Sequence, residues 1–254
     1  MKKNLTVVSL FSGCGGMDLG FAQAGFNILW ANDIDKKACE TYALNIGNHI
    51  IHGDITELDY STIPISDVII GGFPCQDFSM LWKRGGISTA RGNLYKSFVD
   101  LIALKNPKIF LAENVKGILT ANKKQAIKQI IDDFTNTGEI GYQTKAFLIN
   151  FADYGVAQLR ERVLIIGIRK DIDIEFELPH KTHNAKNYVS SKQALEGVDK
   201  VSFNNEHQNI QQGTIEKLKL IPPGGNFTDI PKDSPYYVKG MISHVYRRLH
   251  PDKP

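Results

Sequence analysis

The stretch GGFPCQDFS, residues 71–79, sets a thiol, Cys75, behind a proline in a glycine-flanked run that follows the strand-like DVII. Further along, Glu113 and Asn114 end the apolar run PKIFLAEN, and Gln158, Arg160 and Arg162 lie in QLRERV. A thiolate near guanidinium groups and free backbone N–H groups is a nucleophile, and a carboxylate within reach can hold or move a proton. Each residue also has a plainer use. A Pro-Cys turn can pack into a core, Glu113 can pair with a surface cation, and RER can be a solvated face. Their order along the chain is what argues for chemistry.

A second group precedes them. The loop FSGCGGMDLG offers Gly13, Gly15 and Gly16, where a bare backbone can approach a ligand, followed by the free N–H groups of a helix start. The dinucleotide fingerprint fails because Asp18 stands where its third glycine belongs, which counts against a nicotinamide cofactor. Asp33 ends the second apolar run and can accept both hydroxyls of a ribose; Asp54 ends the third and can meet an adenine amino group. Together they suit a nucleoside-bearing cofactor without a pyrophosphate cradle. The plainer reading is a tight turn with two helix-capping carboxylates.

These residues need a scaffold that brings strand ends together. Apolar runs at 5–11, 27–32, 49–54, 66–72, 107–114, 142–150 and 162–169 read as strands. Segments 17–25, 35–47, 93–105 and 123–136 read as helices between them. Alternation of near-continuous apolar strands with helices predicts an α/β fold, a mostly parallel sheet with helices on both faces. In such sheets ligands sit outside the carboxyl ends of the strands, where all the residues above fall. After Leu178 the pattern changes to Asn, Lys, Pro and Gly with loop signals such as IPPGGNF, and only 214–221 looks regular. The sequence therefore divides into residues 1–178, a cofactor-binding catalytic domain, and 179–254, a second region.

Composition narrows the class. At 254 residues and 42% hydrophobic the chain can bury a sizeable core. Net charge is −1 over residues 1–180 and +4 over 181–254, a mild bias toward a polyanion partner that an ordinary solvated surface would also explain. Three scattered cysteines, Cys14, Cys39 and Cys75, give no metal-binding spacing and fit a reducing cytoplasm; no metal is expected. MKKNLTVVSLFSG imitates a signal peptide, but its apolar run is short and breaks into glycines, and no run is long enough to span a membrane.

FSGCGGMDLGF, GDIT, PCQDFS, RGNLY, ENVKGIL and QLRERV, in that order, resemble the successive motifs of the cytosine-carbon-5 DNA methyltransferases, the bacterial restriction–modification type above all. The likeness covers roughly residues 5–170 and implies a Rossmann-like fold that uses S-adenosyl-L-methionine. It implies that a cytosine is flipped out of double-stranded DNA and that Cys75 attacks its carbon 6. Glu113 would support the ring nitrogen and amino group, and Arg162 with Arg160 the ring oxygen and thiolate. Phe11, Gly13, Gly15, Gly16, Asp33, Asp54 and Leu94 would line the cofactor pocket, with Ile55 and Pro74. Ile34 stands where the family often has a tryptophan, so aliphatic contact would replace stacking on adenine. Gln76, Ser79, Lys83 and Arg84, on a loop over 76–92, and Gln158 would face the DNA.

The resemblance implies that residues 179–254 are part of a target-recognition region, and relatives of this kind continue past it into the rest of that region and two further motifs. The chain is therefore expected to be an amino-terminal part, either the large subunit of a split enzyme whose partner polypeptide supplies the remainder, or a truncated chain. It is expected to be poorly active alone, with apolar surface left exposed. Two other functions are compatible with the residues: methylation of tRNA by the same chemistry, or a relative that binds cofactor or DNA without catalysis. The intact Cys75, Glu113, Arg160 and Arg162 argue against the latter.

Overall fold

The computed structural model describes residues 4–74, 94–202, 209–240 and 246–254. Cys75, Gln76, Ser79, Lys83 and Arg84, assigned above to attack and to the DNA-facing loop, lie outside these residues. The described chain clusters into two compact units, 1–149 with 161–178, and 150–160 with 179–254.

The first unit is built on seven strands: β1 (Thr6–Leu10), β2 (Asn27–Asp33), β3 (Ile50–His52), β4 (Val68–Gly71), β5 (Ile109–Val115), β6 (Tyr142–Asn150) and β7 (Glu161–Arg169). Their spatial order is β3-β2-β1-β4-β5-β7-β6. β1 to β5 pair in parallel, and β7 runs antiparallel to β5. The helices are α1 (Gly16–Gln23), α2 (Lys36–Asn45), α3 (Leu94–Lys105) and α4 (Gln125–Asn136).

Side chains that alternate along each strand reach opposite faces of the sheet. Val8, Leu10, Ile69, Phe110 and Ala112 join Phe98, Leu101 and Ile102 of α3 and Ile130 and Phe134 of α4 in the main core. Their neighbours Val7, Val68 and Ile70 form a smaller cluster with Met17 and Phe21 of α1, so helices cover both faces. In the main core the Phe110 and Phe134 rings lie 4.6 Å apart. A Cβ on Gly167 would stand 2.0 Å from the Phe110 ring, so the glycine lets that ring lie against β7.

The entry ends of three strands meet at Asp67. Its Oδ2 accepts the Thr6 N–H at 3.0 Å and the Thr6 hydroxyl at 2.9 Å, and its Oδ1 takes Lys108 Nζ at 2.7 Å. Lys108 beside it, with help from the Thr6 N–H, pulls the carboxyl down to about 2.

Two element boundaries differ from those expected from the sequence. The helix expected from 123 begins at Gln125, because Asn122, Lys123 and Lys124 all hold positive φ, where a helix cannot propagate. The first strand stops at Leu10 because Phe11 turns to φ 53°.

The second unit has a small core of Ile221, Phe227 and Ile230, flanked by Leu218, Tyr237 and Tyr246. The segment that looked regular in sequence, 214–221, falls on the helix α6 (Gln212–Leu220), and the unit also holds a short helix α5 (Ser191–Ala194) that was not expected from the sequence. A reciprocal Ser190–Gln193 capping box starts α5. Segment 150–160, which the sequence reading placed in the first domain, clusters with this unit. The reason is local: Asp153 pairs with Lys181 at 2.8 Å and accepts the Tyr188 hydroxyl at 2.6 Å, while its carbonyl takes the N–H groups of Thr182 and His183.

Candidate active site

Within the first unit, the carboxyl ends of the parallel strands bring the glycine loop, Asp33, Asp54, Phe73–Pro74, Glu113 and Arg162 to one edge of the sheet. Glu113 lies opposite Leu164 in the β5–β7 ladder, and Arg162 is two residues along β7 on the same face. The diagonal closes as an ion pair, Arg162 Nε to Glu113 Oε1 at 2.9 Å, with both side chains about one-fifth exposed. Arg162 Nη1 also donates to the Glu161 carbonyl, which fixes the plane of the guanidinium. At Gly72 a Cβ would lie 3.2 Å from Glu113 Oε2, so glycine leaves that oxygen accessible.

The segment that leads into Cys75 is held from two sides. The Phe73 ring is buried beside Tyr95 and Phe98, and the Phe73 carbonyl accepts Asn114 Nδ2 at 2.9 Å. Asn114 is itself buried, and its Oδ1 takes the Val115 N–H. The sequence marked Asn114 as a strand-end residue but gave no sign of this anchoring role. Pro74, next along, is exposed.

On the cofactor side, Asp33 Oδ2 accepts the Gly13 N–H at 2.7 Å and Oδ1 accepts the Asp35 N–H at 2.9 Å. The carboxylate thus ties the glycine loop to the start of α2 while staying half-buried. Asp54 uses Oδ1 for the N–H and hydroxyl of Thr56, leaving Oδ2 without a partner among the described residues. Buried Asn32 donates to the carbonyls of Ile51 and Gly53, which holds β3 and so Asp54 in place. Ile34 is 67% exposed, an uncovered aliphatic face beside Asp33. Ile55, by contrast, is buried in the main core, and Phe11 and Leu94 pack at its edge.

The three loop glycines differ. A Cβ on Gly13 or Gly16 would meet nothing within 4 Å, so both border open space. On Gly15 it would come within 2.1 Å of Ile46 and 2.7 Å of the Tyr42 ring. Gly15 therefore admits Tyr42 of α2 and Ile46, the residue that caps the end of α2, beneath the loop. A carboxylate acceptor, an exposed aliphatic face, a second carboxylate oxygen and open backbone in one row are a donor and acceptor set that fits a nucleoside, with room at Gly13 and Gly16 for its substituent.

Asp18 is the one buried side chain of α1, although in sequence it does no more than break a fingerprint. Its Oδ2 accepts the Ser9 hydroxyl at 2.9 Å and its Oδ1 the Tyr42 hydroxyl at 2.8 Å. Burial raises the Asp18 carboxyl, against the pull of those two hydrogen bonds. Burial also lowers His49, whose Nε2 lies 3.0 Å from the Tyr42 oxygen.

Gln158 and Arg160 belong to the second unit, both exposed. Among the described residues no cluster of His, Cys, Asp or Glu could hold a metal ion, and no helix is long and apolar enough to cross a membrane.

Comparison with known proteins bears on the family and the fold. Residues 5–249 match a family profile described as C-5 cytosine-specific DNA methylase. The Type II methyltransferase M.NgoFVII of Neisseria gonorrhoeae is 55% identical over 98% of this chain and 68% of its own length. M.BbvI of Brevibacillus brevis is 37% identical over 96% of this chain and 71% of its own, and M.FnuDI of Fusobacterium nucleatum 43% identical over 79% and 60%. The chain thus spans about two-thirds of the length of these curated relatives. Among solved structures, a putative DNA modification methyltransferase encoded within an E. coli prophage aligns with TM-score 0.64 and 28% identity over 85% of this chain and 64% of that one. The S. pombe Dnmt2 methyltransferase shares the fold at TM-score 0.53. The sheet is that of the Rossmann-like methyltransferases, and the chain belongs to the C-5 cytosine-specific DNA methylase family.

Proposed function

We propose that this chain carries the cofactor-binding and catalytic part of a DNA cytosine-5 methyltransferase acting in a bacterial cytoplasm. Cys75 attacks carbon 6 of a flipped cytosine as the thiolate, and the electron pair released into the ring makes carbon 5 the nucleophile. S-adenosylmethionine supplies the methyl group. Loss of the carbon-5 proton to a base then restores the double bond and expels Cys75. Glu113 holds the ring nitrogen and amino group as charge builds on the ring, and Arg162 keeps that side chain oriented. Arg160 and Gln158 serve the base and its strand, together with Gln76, Ser79, Lys83 and Arg84. Asp33, Ile34 and Asp54 hold the nucleoside of the cofactor beside Gly13 and Gly16.

The observation that carries the reading is the Glu113–Arg162 pair beside the Asn114-held Phe73 carbonyl, two residues before the thiol. The test is transfer of labelled methyl to duplex DNA, with tRNA in parallel. Glu113→Gln is expected to lower turnover by about 10²–10⁴-fold, and Cys75→Ser to abolish it. Label entering tRNA but not DNA would redirect the reading to RNA; transfer undiminished in Cys75→Ser would sink the mechanism.

The remaining third of the relatives' length belongs to the proposal too, supplied by further chain or by a second polypeptide. Met17, Phe21, Phe26, Ile109 and Leu111 are only partly covered on the α1 face of the sheet, which supports a further layer there. A polypeptide matching the last third of the Neisseria relative, added in trans, is expected to raise turnover; full activity without it would refute the need.

A further inference from the structure

The polar groups beneath the glycine loop form one directional chain. Tyr42 has a single hydroxyl proton, and Asp18 Oδ1 takes it at 2.8 Å. The Tyr42 oxygen must then accept from His49, which assigns the Nε2–H tautomer to that ring. On the other side the Ser12 hydroxyl donates to Ser9 Oγ at 3.0 Å, and Ser9 donates to Asp18 Oδ2 at 2.9 Å. Both arms end on the Asp18 carboxylate, whose two oxygens each accept one hydroxyl. Ser12 belongs to the loop itself: its N–H donates to the Asn32 carbonyl, and its own carbonyl takes the Gly15 N–H.

Burying this carboxylate has a cost. Asp18, Ser9 and Tyr42 are all essentially inaccessible to water, and a carboxyl raised by burial opposes folding when ionised. The titratable groups that face it are Tyr42 from α2 and His49 ahead of β3. An apolar residue could fill the volume more cheaply, so the arrangement calls for a role other than stability.

We propose that Asp18 is a positioning residue for the cofactor, acting through Ser9–Ser12 and Tyr42 to set the glycine loop from below while Asp33 sets it from above through the Gly13 N–H. The inference rests on the cofactor reading given above. Gly15 belongs to the same device, since its missing side chain is what lets the Tyr42 ring pass under the loop to Asp18. An asparagine at position 18 keeps the volume but offers one acceptor and one donor group. One of the two arms must then reverse, and the loop loses its fixed setting.

The test is calorimetric titration of the purified chain with S-adenosylmethionine, beside steady-state kinetics and thermal melts. Asp18→Asn is expected to raise Kd and the cofactor KM at least tenfold, with kcat at saturating cofactor within about threefold and the melting temperature little changed. Tyr42→Phe keeps the ring against Gly15 and removes only the hydroxyl; it is expected to raise Kd threefold to tenfold. Ordinary affinity in both variants overturns the proposal and leaves the cofactor reading intact. Collapse of Asp18→Asn with unaltered binding in Tyr42→Phe overturns it in favour of a structural role. A wild-type chain that binds no S-adenosylmethionine overturns the cofactor reading and this inference with it.

Discussion

Single residues at the carboxyl edge divide into those that hold the backbone and those left open to a ligand, and the glycines show the division best. Gly15 sits at φ 86° against Tyr42 and Ile46. An alanine there meets both a left-handed backbone and a steric overlap, and Gly15→Ala is expected to cost about 3 kcal/mol. Gly16 starts α1 with nothing within 4 Å, so Gly16→Ala is expected to leave the melting temperature unchanged or slightly higher, as alanine favours helix. It is still expected to weaken cofactor binding, because the new methyl enters the open row. Melts and titrations of the two variants side by side check this; equal behaviour would contradict the division. The sequence could show that glycines cluster here, but not which one is packed from below, because Tyr42 and Ile46 arrive from another helix. Asp18 was hidden for the same reason. In sequence it is an acid in the first turn of a helix, a place where acids are ordinary, and its burial depends on Ser9 and Tyr42.

Among the elements, strand existence was legible because buried parallel strands must be apolar on both faces. The alternation of Phe110 and Ala112 with Ile109 and Leu111 also follows, since each set packs a different layer. Strand direction was not legible. Composition does not distinguish β7, which runs against β5, from its parallel neighbours, so the cross-strand pairing of Arg162 with Glu113 was not legible. The late start of α4 was equally hidden, because three consecutive positive φ values at Asn122–Lys124 reflect context rather than residue type. The strand entries carry a prediction of their own. Asp67, depressed to about 2 by Lys108 and Thr6, favours folding fully above the unfolded carboxyl value near 3.8 and loses that contribution as pH falls through its folded value. Lys108 is half in water, so the contribution is about 1 kcal/mol rather than the full value of the shift. Denaturant midpoints of wild type and Asp67→Asn are expected to differ at pH 6 and to converge between pH 4 and pH 2; a constant gap would show that the ion pair is not the cause.

At the scale of the whole molecule, the sequence located the change in character after Leu178 but not the attachment of 150–160, which depends on Asp153 meeting Lys181 and Tyr188. Reversal of β7 also separates the two halves of the site in time. The glycine loop, Asp33 and Asp54 are joined by β1, α1, β2, α2 and β3, neighbours along the chain, and short-range contacts close early because little loop entropy opposes them. The Glu113–Arg162 pair must wait until α4 and β6 have been made and β7 has turned back onto β5. Pulsed hydrogen exchange during refolding is expected to protect β1–β3 before β7, and protection of all strands at once would contradict this. On a ribosome the same order means that a nascent chain acquires the shape to hold a nucleoside before it owns the pair of charges that would act on a base.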